Sequence, residues 1–65
     1  MMDWVPGWND SDGYWTLFAG GAYAGCIMRL PDGRWAATLA RGRTEFLNCK
    51  AAAKGRLETL ARRAL

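Results

Sequence analysis

The side chains best suited to chemistry in this sequence are its arginines. Arg34 stands next to Trp35, and Arg41 and Arg43 flank Gly42 in what reads as a hairpin tip. A guanidinium group makes paired hydrogen bonds to phosphate or carboxylate, and an aromatic ring beside it can stack on a base. Seven arginines against two lysines favour such bidentate contacts over simple point-charge ones. Catalysis lacks its usual residues. There is no histidine, and of the six carboxylates only Glu45, beside Phe46, has an apolar neighbour in sequence. General acid–base work near neutral pH wants an imidazole or a carboxylate with a raised pKa, and the thiols of Cys26 and Cys49 have no imidazole to activate them. The expectation is a binding protein without enzymatic activity.

Metal binding fails a similar check. The run Asp10-Ser11-Asp12-Gly13 suggests a calcium loop, but an EF-hand needs an acidic residue two positions before Asp10 and a glutamate at its twelfth position. This chain has Trp8 and Ala19 there. The run reads instead as a turn, because Asp and Asn side chains bond to their own local backbone. No metal and no cofactor are expected.

Charge is distributed unevenly. Residues 1–28 carry Asp3, Asp10 and Asp12 and no base. All nine bases (Arg29, Arg34, Arg41, Arg43, Lys50, Lys54, Arg56, Arg62 and Arg63) follow, against Asp32, Glu45 and Glu58. The segments therefore carry −3 and +6, which together make the net +3. So lopsided a field can steer a charged partner onto one surface.

Sixty-five residues make one domain near the lower limit for independent folding. Half the residues are hydrophobic and four are Trp, and each buried Trp removes roughly 150–250 Å² from water. Cys26 and Cys49 leave one possible disulfide. The favoured reading is two reduced, buried small hydrophobes, because the start, Met1-Met2-Asp3-Trp4, lacks the basic and apolar stretches of a secretory leader. No apolar run approaches the roughly 20 residues of a membrane span. The expected location is cytoplasmic.

The elements that must position these groups follow from turn chemistry. Residues 1–12 read as a turn-rich acidic arm, with Pro6-Gly7 between Trp4 and Trp8. The arm either folds back to cap the core or offers one Trp as a binding anchor. Residues 13–47 read as a β-meander. Gly20-Gly21 marks a tight hairpin after a strand over 13–19, and Pro31-Asp32-Gly33 a three-residue loop after a strand over 22–30. A third strand over 34–41 then turns at Arg41-Gly42-Arg43 into a short fourth over 44–47. Residues 48–64 read as a helix capped by Asn48. Its apolar stripe is Cys49, Ala53, Leu57, Leu60, Ala61 and Ala64. Gly55, costly within a helix, suggests a close crossing over the sheet.

The expected fold is α+β: an antiparallel meander of three or four strands with one C-terminal α-helix across one face. In the second strand Ala24, Cys26, Met28 and Leu30 are expected to face the helix. The uncovered face would then carry aromatics and Arg29, shielded by the N-terminal arm or by a partner.

The stretch Gly33-Arg34-Trp35-Ala36-Ala37, a hairpin, a strand ending in Phe46 and an Ala-rich helix resemble the sheet-plus-helix of phage integrase arm-binding domains and plant ethylene-response-factor domains. Those families lay the sheet in the DNA major groove. The resemblance covers about residues 22–62 and implies contacts by Arg29, Arg34, Trp35 and Arg41; the acidic first third departs from it. As a whole, a small Trp-rich chain with short strands and one helix is similar to proteins encoded by phages and mobile elements, among them the anti-CRISPR proteins. That likeness implies a non-enzymatic inhibitor occupying a surface of a host protein or ribonucleoprotein complex. No residue motif defines that class. Asp3, Asp10 and Asp12 would stand in for phosphates, while Arg29, Arg34, Arg41 and Arg43, with Tyr14 and Trp35, would grip an acidic partner or guide RNA. The alternative is a small DNA- or RNA-binding module using the sheet and the hairpin arginines. Neither reading involves a membrane or a small-molecule substrate.

Overall fold

The computed structural model describes residues 1–7 and 13–64, with the side chain of Ala64 excepted. Trp8, Asp10 and Asp12 lie outside the described residues. Five strands and one helix follow one another along the chain: β1 (Met2–Pro6), β2 (Tyr14–Ala19), β3 (Ala22–Arg29), β4 (Trp35–Leu39), β5 (Thr44–Leu47) and α1 (Lys50–Ala64). The strands form one sheet in sequence order, every pair antiparallel. The architecture is α+β, with one more strand than the sequence suggests. The extra strand comes from the presumed turn-rich arm. Met2–Pro6 pairs with β2, from Met2 opposite Ala19 to Pro6 opposite Trp15. Pro6 is compatible because it ends an edge strand, where a missing N–H costs no ladder bond.

The turns obey local chemistry. Gly20 and Gly21 have φ of 60° and 84°, as a two-residue hairpin loop that follows the strand twist requires. At Pro31-Asp32-Gly33 the Leu30 N–H donates to Arg34 O at 2.7 Å and the Gly33 N–H to Leu30 O at 3.0 Å. The next hairpin repeats the design one residue earlier than expected. Its loop is Ala40-Arg41-Gly42, with the Leu39 N–H donating to Arg43 O and the Gly42 N–H to Leu39 O, both at 2.8 Å.

The helix packs mainly on β3, β4 and β5. Leu17, Ile27, Trp35, Ala37, Ala53, Leu57 and Ala61 form the core cluster, with Met2, Trp4, Trp15, Ala24, Leu39 and Leu47 packed around it. The helix starts two residues later than its expected cap. Cys49, not Asn48, occupies the capping position: its carbonyl accepts the Ala53 N–H at 3.0 Å and its Sγ the Ala52 N–H at 3.5 Å. Cys49 is accordingly exposed and not a core residue, Cys26 is half-buried, and both thiols are free.

Toward β1 and β2 the helix makes aromatic and charged contacts. The Trp4 indole N–H donates to Glu58 Oε2 at 2.7 Å. Lys54 Nζ lies 3.9 Å from the centroid of the Trp15 ring and 5.3 Å from that of Trp4, and Lys50 Nζ lies 5.2 Å from Trp15. An ammonium over an indole face is attracted by the ring quadrupole, and the lysine stems cover the rings. Trp4 thus caps the core.

Beyond Ala24 the faces of β3 are reversed from those expected, while Tyr23 and Ala24 stand as expected. Leu17 pairs with Gly25 but Phe18 pairs with Tyr23, so Ala24 is one residue in excess. This bulge changes the parity of β3. Gly25 and Ile27 face the helix while Cys26 and Met28 face away, and Ala24 packs against the core beside Gly25. Gly25 permits it: a Cβ there would meet Thr38 O, Leu57 Cδ1 at 3.1 Å and Leu39 Cα at 3.2 Å. The close crossing of helix and sheet is therefore at Gly25. At Gly55 a Cβ would meet nothing within 4 Å.

Candidate functional site: the open sheet face

Strand alternation and the register place three rows across the face that the helix leaves uncovered. The middle row runs Val5, Thr16, Cys26, Thr38, Thr44, one residue from each strand. On one side lie Tyr14, Met28, Ala36 and Phe46. On the other lie Asp3, Phe18 and Tyr23, the last brought to this face by the bulge. The rings of Phe18 and Tyr23 meet edge to face at 6.3 Å. The floor is polar but satisfied, with the Thr38 and Thr44 hydroxyls hydrogen-bonded at 3.0 Å. Large apolar side chains stand out from it: Val5 is 44% exposed, Tyr23 50%, Met28 44% and Phe46 58%.

The hydrogen bond with Cys26 raises the Tyr14 pKa. Burial of the hydroxyl, then the hydrogen bond with Cys26, pushes that of Tyr23 up to about 12. Half of the Tyr23 surface is exposed. A phenol with a folded pKa above its unfolded value of 10.0 contributes stability that is fully present below about pH 10 and lost as pH rises toward about 12. Urea midpoints between about pH 9 and 12 should therefore fall more steeply for the parent protein than for Tyr23→Phe. Parallel pH profiles would show that this phenol ionises normally.

The arginines expected to act together are dispersed. Arg34 borders the open face, its guanidinium carbon 5.4 Å from the Phe46 ring centroid and its Nε donating to Asp32 Oδ2 at 2.8 Å. The same contacts, first from the Arg34 backbone N–H and then from its side chain, lower the Asp32 pKa. Arg43 lies on the helix side, 3.0 Å from Glu45 Oε2. Arg56 donates to both oxygens of that carboxylate, at 2.7 and 3.1 Å. Hydrogen bonding from Arg56 is the main cause of the lowered Glu45 pKa, and Arg43 adds to it. Arg41 is exposed at its loop tip. Arg29, expected on the uncovered face, pairs with Trp35 in the helix-side row, because the bulge shifts the parity of β3.

Trp35 is a correction of a different kind. It is 7% exposed and belongs to the core, so it has no surface to offer a partner; the helix covers the side of β4 on which it stands. Asp3 sits at the edge of the open face and Tyr14 within it, while Asp10 and Asp12 lie outside the described residues. Val5, Phe18, Tyr23, Met28 and Phe46 were missed as site residues. Their signal was the alternation of apolar residues in each strand, which for β3 points to the wrong face until the bulge is known.

The bases gather on the other side. Arg43, Lys50, Lys54, Arg56, Arg62 and Arg63 surround the helix, opposed by Glu45 and Glu58. One face is thus apolar and nearly neutral, and the opposite one basic. No group of His, Cys, Asp or Glu suited to hold a metal ion occurs among the described residues, and no helix among them is long and apolar enough to cross a membrane. No family model matches the chain, and no curated protein or solved structure matches it either.

Proposed function

We propose that this protein acts by binding and not by catalysis, docking its open sheet face on a host protein or ribonucleoprotein complex as an inhibitor of the phage-encoded, anti-CRISPR type. The observation that carries the reading is the group of four protruding apolar side chains, Val5, Tyr23, Met28 and Phe46, on a face with Arg34 and Asp3 at its borders. Exposed apolar side chains gathered on one face and rimmed by polar residues mark interaction sites, and Tyr and Arg are over-represented among residues that dominate binding energy. The charge pattern favours a protein surface over a nucleic acid. Of the arginines named for a sheet-in-groove contact, Arg29 stands in the helix-side row and Arg34 is already paired with Asp32, which leaves Arg41, whereas backbone binding needs several free cations along the phosphates.

Two measurements test the reading together. Met28→Asp with Phe46→Asp changes two exposed positions and should leave the fold intact, while host-protein capture from a lysate falls at least tenfold. Capture at the parental level by the folded variant would overturn the docking face. In parallel, titration with mixed-sequence duplex DNA and RNA across about 50–200 mM salt should show no micromolar binding. Micromolar binding that weakens steeply with salt would move the function to nucleic acid.

A further inference from the structure

Beside the open face, a cleft of about 160 Å³ lies between the β2–β3 hairpin, the β4–β5 hairpin and the C-terminal part of α1. Ala22, Tyr23, Ala24, Leu39, Arg41 and Ala61 line it. We propose that this cleft receives one apolar side chain of the partner protein, an aromatic or branched aliphatic residue, and that Arg41 holds a carboxylate next to it. The inference rests on the protein-docking reading and specifies its chemistry: an acidic partner segment with a single hydrophobic anchor.

Size selects the occupant. Small-molecule sites usually span about 300–1,000 Å³, whereas an apolar cavity of about 150 Å³ takes a benzene-sized group. The space exists because the hairpin and helix residues around it are alanines and because the bulge at Ala24 turns Tyr23 toward the open face. The walls offer little to a polar occupant. The Ala40 N–H is spent on Ala24 O at 3.0 Å. A polar group buried there without a partner would lose its hydration uncompensated, so the inserted group is apolar.

Charge selects what lies next to it. Arg41 is exposed and makes no ion pair among the described residues, and no acidic residue lines the cleft. Arg62 and Arg63 follow Ala61 in the last turn of the helix, and the Glu58 contact of Arg62 is long, at 4.0 Å. Among the described residues Arg41 therefore stands without a carboxylate partner beside an apolar hole, and guanidinium groups pair well with carboxylates. Alanine methyls give a nucleobase no stacking platform. Tyr23 borders the cleft while its side chain stands on the open face, so the two adjoin at that residue.

The probes are 3-phenylpropionate, its neutral amide and uridine 5′-monophosphate, each titrated into isotope-labelled protein and followed by amide chemical shifts. For the propionate, shifts should be confined to residues 22–24 and 39–41 and saturate with a dissociation constant on the order of millimolar, as suits so few atoms. The amide should bind at least tenfold more weakly. Arg41→Gln, its spectrum otherwise unchanged, should erase that preference while still binding the amide, and Ala22→Leu should fill the cleft and abolish both. Equal affinity for acid and amide, shifts centred on Met28 and Phe46, tighter binding of the nucleotide, or no saturable shift would each overturn the proposal. Because these titrations use no partner, they fail independently of the capture experiment with the Met28 and Phe46 substitutions.

Discussion

Leu57→Ala is expected to remove a large share of the protein's stability, about 2–5 kcal/mol. Leu57 is fully buried, 0% exposed, at the centre of the helix–sheet contact. It rests against the strand where Gly25 lets the helix approach. Removing a fully buried leucine costs about 2–5 kcal/mol through lost transfer energy and the cavity left behind. A domain of 65 residues has roughly 3–10 kcal/mol to lose at about 0.05–0.15 kcal/mol per residue. The cavity would be hard to collapse, because the neighbours across it, Gly25 and Ala37, carry little or no side chain to move. Urea denaturation followed by Trp fluorescence checks this. A loss below about 1 kcal/mol would mean that the helix does not carry the core.

Two glycines should respond to the same substitution in opposite directions. Gly25→Ala drives a methyl group into Thr38 O, Leu39 Cα and Leu57 Cδ1, and two of those atoms are backbone that cannot rotate away. Overpacking of this kind costs about 1–3 kcal/mol, with separation of helix and sheet as the main relief. Gly55→Ala meets nothing within 4 Å and removes a glycine from the interior of an exposed helix, for a gain of about 1 kcal/mol. Thermal unfolding of both variants decides the matter, with a lower Tm for the first and a higher one for the second. A stabilising Gly25→Ala would place the helix farther from β3 than described, and a destabilising Gly55→Ala would place a neighbour over its outer surface.

The aromatic residues define the character of the open face. Tyr23 is half exposed and its ring meets Phe18 edge to face, so it presents ring surface outward. Met28 and Phe46 add apolar area, and Arg34 lies over Phe46. Tyrosine rings with few free rotors bury area at low entropic cost. Such a surface suits protein docking better than a phosphate backbone.

What the chain alone determined is what local chemistry controls. Gly20-Gly21 and Pro31-Asp32-Gly33 announce their hairpins because positive φ and a fixed proline φ are properties of single residues. The helix is legible from its alanines and apolar stripe, and the sheet-plus-helix class follows from these. Tertiary structure decided the rest, because it depends on what lies across the sheet. Met2–Pro6 becomes a strand only through pairing with β2, and its Pro-Gly ending hides that from a local reading. Trp35 looked like an exposed contact until the helix covered its side of β4. Arg29 and Met28 exchanged faces because Ala24 is one residue too many, and in a structure of period two a single extra residue inverts every side chain beyond it. The cleft beside Arg41 likewise exists only where two hairpins and the helix converge, brought together by long-range packing that no spacing along the chain records.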